Sequence, residues 1–127
     1  MIVLDASVLI AHLDAADRHH DEARRLLEER GAEPLASSAI TLAETIVSPA
    51  RAGRLEDAEA ALRRLGVEEL AIGTGAAGRL AALRAGTGLK MPDCCVLLTA
   101  LDQEAVLASF DARLIAAARE LGLSTAP

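Results

Sequence analysis

Ile2-Val3-Leu4 is a short, unbroken apolar run that ends at Asp5. A run of this kind, rich in β-branched residues, predicts a strand covered on both faces. Ser7 then offers a cap for a helix from Val8. Between His12 and Arg30 the chain is polar, but Ala23, Leu26, Leu27 and Arg30 keep helical spacing up to a stop at Gly31. Pro34-Leu35-Ala36-Ser37 reads as a second strand, and Ser38 as the cap of a helix from about Ala39 to Val47. Ser48-Pro49 is the expected end of that helix.

The second half alternates in the same way. Leu55 to Leu65 predicts an amphipathic helix with Glu and Arg at four-residue intervals, stopped by Gly66. Val67 to Ile72 reads as a strand, Gly73-Thr74-Gly75 as a turn, and the residues through Arg84 as a helix. After a break at Gly86-Thr87-Gly88, Pro92 opens an apolar helix to about Asp102. Ala105 to Ser109 is a further strand, followed by Asp111 and a helix to Leu121. Strands alternating with helices imply βαβ units, a mostly parallel sheet and one α/β domain over residues 1–127.

Composition narrows the chemistry. Apolar residues form 52% of the chain, enough for a real core, but Phe110 is its only aromatic residue. Grip on nucleic acid by base stacking would need more aromatic platforms. The net charge of −6 also lacks the usual basic footprint. Four of the acids, however, fall where a cation site is expected, and setting them aside leaves −2. Bound cations would invert the field there. The basic residues are nearly all Arg, with Lys90 the one Lys, and Arg suits phosphate. No apolar stretch is long enough for a membrane span, and Asp5 comes too early for a signal peptide, so a cytoplasmic location is expected. Cys94-Cys95 has neither disulfide nor C-x-x-C spacing and reads as a pair of small buried residues.

The four acids are Asp5, Glu44, Asp93 and Asp111. In an open parallel sheet, ligands bind outside the carboxyl ends of the strands. Asp5 directly follows the first strand, and Asp111 follows the last predicted strand with only Phe110 between. Asp93 opens a helix, where the dipole favours an ionised carboxylate. Glu44, four residues after Ile40 and three before Val47, is expected within or beside its helix's apolar stripe, where it needs a partner. Taken singly, Asp5 and Asp111 suit helix N-caps, Asp93 a dipole-facing residue and Glu44 a solvated helix border. Taken together, they suit hard divalent ions, which take oxygen ligands.

At these residues the chain resembles the PIN-domain ribonucleases, in particular the VapC-like toxins of bacterial toxin–antitoxin pairs. Ile2-Val3-Leu4-Asp5-Ala6-Ser7 is similar to the family's first motif, and Ser38-Ala39-Ile40-Thr41-Leu42-Ala43-Glu44 to the second. Leu89-Lys90-Met91-Pro92-Asp93, with Leu97, Thr99 and Ala100, resembles the third, and Ala108-Ser109-Phe110-Asp111-Ala112-Arg113-Leu114 the fourth. Three features depart from the pattern. Cys94-Cys95 replaces small or aliphatic residues, Ser109 stands where Thr is common, and Ala112-Arg113 follows Asp111 where many relatives carry another acid.

The resemblance implies an α/β/α sandwich and metal-dependent hydrolysis of RNA phosphodiesters, with Mg²⁺ (or Mn²⁺) held by Asp5, Glu44, Asp93 and Asp111. Asp5 and Asp93 would hold the principal ion. Ser7 and Ser109 would orient ligands or substrate from behind. Arg51 and Arg54 are the candidate RNA contacts, and a homodimer and a cognate antitoxin are the expected partners. His12, His19 and His20 are expected at surface or capping positions, since sequence neighbours on a helix do not face each other. The different-class alternative is a PIN-like protein-binding module with little catalysis. A dehalogenase-type phosphatase would need Asp at position 7, a receiver domain paired acids and a late Lys, and a dinucleotide fold G-x-G-x-x-G; none is present.

Overall fold

The computed structural model describes all residues, 1–127. Five strands form one sheet: β1 (Ile2–Leu4), β2 (Leu35–Ser38), β3 (Val67–Leu70), β4 (Val106–Ala108) and β5 (Thr125–Ala126). Their spatial order is β3-β2-β1-β4-β5, and every pairing is parallel. Parallel neighbours need crossovers, which the helices provide. α1 (Ala6–Leu13) and α2 (His20–Glu29) join β1 to β2; α3 (Ala39–Arg51) and α4 (Leu55–Leu65) join β2 to β3. α5 (Ala76–Thr87) and α6 (Met91–Gln103) return to β4, and α7 (Ala112–Glu120) leads to β5.

Strand alternation sorts the core into two layers. Ile2 and Leu4 point into one cluster with Val8 and Leu9 of α1, Leu26 and Leu27 of α2, Leu42 of α3 and Leu62 of α4. Val3 and Leu107 point the other way, onto Val96 and Leu97 of α6 and Leu114 of α7. The result is the three-layer α/β/α sandwich, with a sheet that is wholly rather than mostly parallel. From Cys94 to Ala100 every residue of α6 is buried. The two free cysteines are therefore core residues, and burial pushes both thiols up in pKa.

The chain departs from its expected boundaries in ways that have local causes. The first helix begins at Ala6, with Asp5 at the N-cap position, so Ser7 lies inside it instead of capping it. Residues 14–19 interrupt the expected helical stretch because Asp14 and Asp17 accept bonds from the N–H groups of Ala16 (2.9 Å) and His19 (2.8 Å). Short acidic side chains stabilise turns in this way. Pro49 lies inside α3, which continues to Arg51. A proline so near the end forfeits one bond of the last turns, and the Pro49 carbonyl accepts the Arg54 N–H at 2.8 Å. β5, two residues long, shows no periodicity in sequence and forms by pairing with β4.

Candidate active site

β1 lies between β2 and β4, so the strand order reverses at the β1–β4 pair. Such a switch point leaves a crevice beyond the strands' carboxyl ends, because the following helices depart to opposite faces. Asp5 and the Ser109–Asp111 segment leave the sheet side by side there, and the Asp5 N–H donates to the Ala108 carbonyl at 2.9 Å.

Asp5 is 6% exposed and occupies the N-cap position of α1, yet its side chain caps nothing. Its Oδ2 instead accepts from the hydroxyls of Ser7 at 2.7 Å and Ser109 at 2.8 Å. Each hydroxyl also accepts a backbone N–H: that of Phe110 at Ser7 (3.0 Å) and that of Asp111 at Ser109 (2.9 Å). Each serine has one proton to give, and the network directs both to the same carboxylate oxygen. Ser7 and Ser109 thus hold the Asp5 side chain and tie the ends of β1 and β4 together.

Asp111 has a double commitment. Its Oδ1 accepts from the N–H groups of Arg113 (2.9 Å) and Leu114 (3.3 Å), the ordinary cap of α7, which leaves Oδ2 for other use. Asp93 lies in the first turn of α6, after Pro92. Its carboxyl pKa is raised, first by burial and then by repulsion from Asp5 and Asp111, against the opposing pull of Lys90 and Arg113. Glu44 is raised too, by desolvation and then by Asp5 and Asp93. The four acids therefore act on one another across four elements, although Asp5 and Asp111 are 106 positions apart in sequence.

The stripe beside Glu44 corrects one expectation. Ile40 and Val47 are 43% and 41% exposed, so the stripe they mark is not buried, and Glu44 lies at the solvated border of α3, the other position the sequence offered for it. The buried face of α3 is formed by Thr41, Leu42 and Thr45. Its two threonines were not singled out by sequence reasoning. Thr41 meets the Ser38 hydroxyl at 2.8 Å, and Thr45 donates to the Thr41 carbonyl at 2.9 Å. The hydroxyls of this buried face are thus satisfied within α3 and its cap.

Among the remaining candidates, Arg54 lines a groove of about 510 Å³ with Glu44, Ile10, Asp57 and Arg64, whereas Arg51 is exposed at the end of α3 outside it. The histidines stand apart from the carboxylates. His20 Nδ1 bonds the Ala11 carbonyl at 2.7 Å, His19 stacks on Phe110 at 4.5 Å between ring centres, and burial lowers the pKa of His12. A second cleft, of about 390 Å³ between α5, α6 and α7, contains none of the four acids.

No three His, Cys, Asp or Glu side chains converge closely enough to form a ready metal cage. The donor set is nonetheless all oxygen, and Glu44 and Asp93 bear a repulsion that a cation would relieve. Mg²⁺ commonly uses one or two carboxylates and keeps several waters. The residues fit a hydrated divalent ion of that kind and do not fit a closed cage.

These features define a class: an α/β/α sandwich with a carboxylate cluster at its switch point. Within that class the family is specific. The PIN-domain model matches residues 2–120, and the chain belongs to that family. The fold is similar to that of a toxin–antitoxin complex component from Klebsiella pneumoniae, at 29% identity, 91% coverage of each chain and a TM-score of 0.73. It is also similar to Mycobacterium tuberculosis VapC20, a sarcin–ricin-loop-cleaving toxin, at 19% identity over 92% of this chain and 95% of that one (TM-score 0.77). VapBC-1 from nontypeable Haemophilus influenzae shares 21% identity over 99% and 97% of the two chains (TM-score 0.71). No curated protein matches by sequence. No helix is long and apolar enough to cross a membrane.

Proposed function

We propose that the chain is a divalent-metal-dependent endoribonuclease, the toxin of a toxin–antitoxin pair. The observation that carries this reading is the placing of Asp5 and Asp111 at the adjoining ends of β1 and β4, with Asp93 and Glu44 close enough for their carboxyl pKa values to be raised by burial and then by neighbouring acids, in a chain of the PIN family. Acids gathered at such a cost in charge need a cation, and a ribonuclease of this family has a use for one.

Asp5 and Asp93 are the principal ligands in this reading, and Glu44 and Asp111 complete the site directly or through water. Mg²⁺ is the expected ion, with Mn²⁺ as a substitute; when bound, it lowers the pKa of a water and neutralises charge on the phosphoryl oxygens. Ser7 and Ser109 hold Asp5 so that its Oδ1, which accepts no bond from the protein, is offered to the site. Asp111 spends one oxygen on its helix and keeps the other available. Arg54, beside Glu44 in its groove, and Arg51 beyond it are the proposed contacts for RNA phosphates on that flank.

The exposed Ile40 and Val47 on either side of Glu44, with Met91 at 41% exposure, support a protein partner on the same face. A cognate antitoxin with a cationic segment, and a second copy of this chain, are the partners proposed. The binding-module reading is separated by metal dependence. A mixed tRNA and messenger RNA panel, incubated with Mg²⁺, Mn²⁺ or EDTA, is the test. Cuts that require metal and disappear in Asp5→Asn are expected; identical traces for both proteins would replace the nuclease reading with the binding one.

A further inference from the structure

Lys90 and Arg113 neighbour Asp93 and Asp111 in the chain and are not among the residues lining Glu44's groove. Lys90 is the N-cap residue of α6, three positions before Asp93, and Arg113 lies in the first turn of α7, two positions after Asp111. Arg113 reaches back to the turn that leads into Lys90. Arg113 Nη2 makes a long contact of 3.5 Å with the Gly88 carbonyl, and Gly88 takes φ +72° where α5 ends and the chain turns toward Lys90. A Cβ built at Gly88 would lie 3.7 Å from that same guanidinium nitrogen. The Arg113 guanidinium thus lies against the turn that carries Lys90 into α6.

Both side chains are exposed, and neither takes part in any of the molecule's four ion pairs, although the chain holds 19 acids. Of the 13 Lys and Arg residues only Arg24, Arg30 and Arg79 sit within ion-pair distance of a carboxylate, so what sets Lys90 and Arg113 apart is their place in the chain, three positions before Asp93 and two after Asp111. Lys90 and Arg113 are near enough to Asp93 to act on its carboxyl, yet they are not neutralised by it. An unpaired cation pair beside an acid cluster is suited to a ligand that carries its own negative charge and must approach that cluster.

We propose that Lys90 and Arg113 form a phosphate clamp that holds the nucleic-acid strand on the Asp93–Asp111 side of the site. The proposal rests on the nuclease reading and adds a second flank to it. A polyanion approaching four carboxylates is repelled, and cations on the rim offset that repulsion where the strand must pass. Arg113 supplies a planar fork for two phosphate oxygens, and Lys90 a mobile point charge. Base stacking is a poor substitute here, because the only aromatic ring, Phe110, already carries His19 against one face.

The test uses the full chain in an Asp5→Asn background with Mg²⁺, which keeps the strand intact, and fluorescence anisotropy of a labelled single-stranded RNA at several salt concentrations. Lys90→Ala and Arg113→Ala are each expected to weaken binding about 3- to 10-fold and to flatten the log–log salt slope by about 0.7. Arg113→Lys should bind at an intermediate level with the parent's slope, and Arg63→Ala, an exposed change on α4, should match the parent. Parent-like affinity and slope in both alanine variants would overturn the clamp while leaving the nuclease reading intact, since metal-dependent cleavage is scored separately. Weakened binding with an unchanged slope would also overturn it, because the lost contact would not be ionic. Failure of the parent to bind RNA would overturn the clamp, and absence of metal-dependent cleavage as well would remove the nuclease reading.

Discussion

The β1–β4 pair, wholly apolar, and the β3–α5 edge, which carries Glu68, Glu69, Arg79 and Arg84, are held very differently. Val3, Leu4, Leu107, Ala108 and Ser109 are fully buried, and each strand has covered faces and a neighbour on both sides. β3 is an edge strand with no buried residue, and α5 buries none either. The difference teaches where a side chain at a strand end can be held accurately. Asp5 issues from the region where packing, ladder bonds and two serine hydroxyls all agree, so its position is over-determined. The edge covers the sheet and leaves the site's geometry to others.

The comparison is tested most severely at Asp5 itself. Asp5→Asn, nearly isosteric, should lower kcat by roughly 100-fold or more while the folded state survives, as read by RNA cleavage rate and thermal melting. A folded variant of undiminished activity would place the chemistry elsewhere. Leu4→Ala removes a fully buried side chain from the centre and should cost about 2–5 kcal/mol in urea unfolding. Leu80→Ala on α5, whose side chain is only partly buried, should cost about 1 kcal/mol or less. Equal losses would erase the distinction between centre and edge.

A smaller effect is expected from the hydroxyl lock. Ser109→Ala leaves the Asp111 N–H without its acceptor and Asp5 without one of two donors, at a cost of about 1–3 kcal/mol. Thr74→Ala, in the exposed turn before α5, should stay within about 0.5 kcal/mol. The smallest effect concerns charge. Folding raises the carboxyl pKa of Glu44, so between the unfolded and folded values the native state holds more protons. Metal-free stability therefore falls as pH rises through that window and stays reduced above it. Glu44→Gln should raise the metal-free melting temperature at pH 7 by about 1–2 °C, since solvent screening limits the cost at an exposed residue. Below about pH 4 the two proteins should melt together, because the wild-type carboxyl is then protonated in both states. A difference that persists at low pH would assign the gain to something other than charge.

Much of the frame could be read from the pattern. The apolar run before Asp5, the cap at Ser38, the amphipathic helix ended by Gly66 and the Pro92 helix start all occur where expected. Each depends on residues close in sequence, so local chemistry suffices to announce it. What escaped was of two kinds. The turns at Asp14 and Asp17, and the run of α3 through Pro49, were settled by single hydrogen bonds that periodicity does not register. β5 and the exposure of Ile40 and Val47 depended on neighbours distant in the chain.

The site divides in the same way. The sequence by itself determined which acids were available, that Asp5 and Asp111 would follow strands, and that the motifs resemble those of PIN-domain ribonucleases. Only the tertiary structure decided that β4 returns beside β1, that Ser7 and Ser109 share one oxygen of Asp5, and that Arg113 reaches the turn before Lys90. The reason is that strand order and crossover path are set by burying two opposite faces of one sheet at once. That requirement belongs to the whole chain, and no segment of it carries the answer alone.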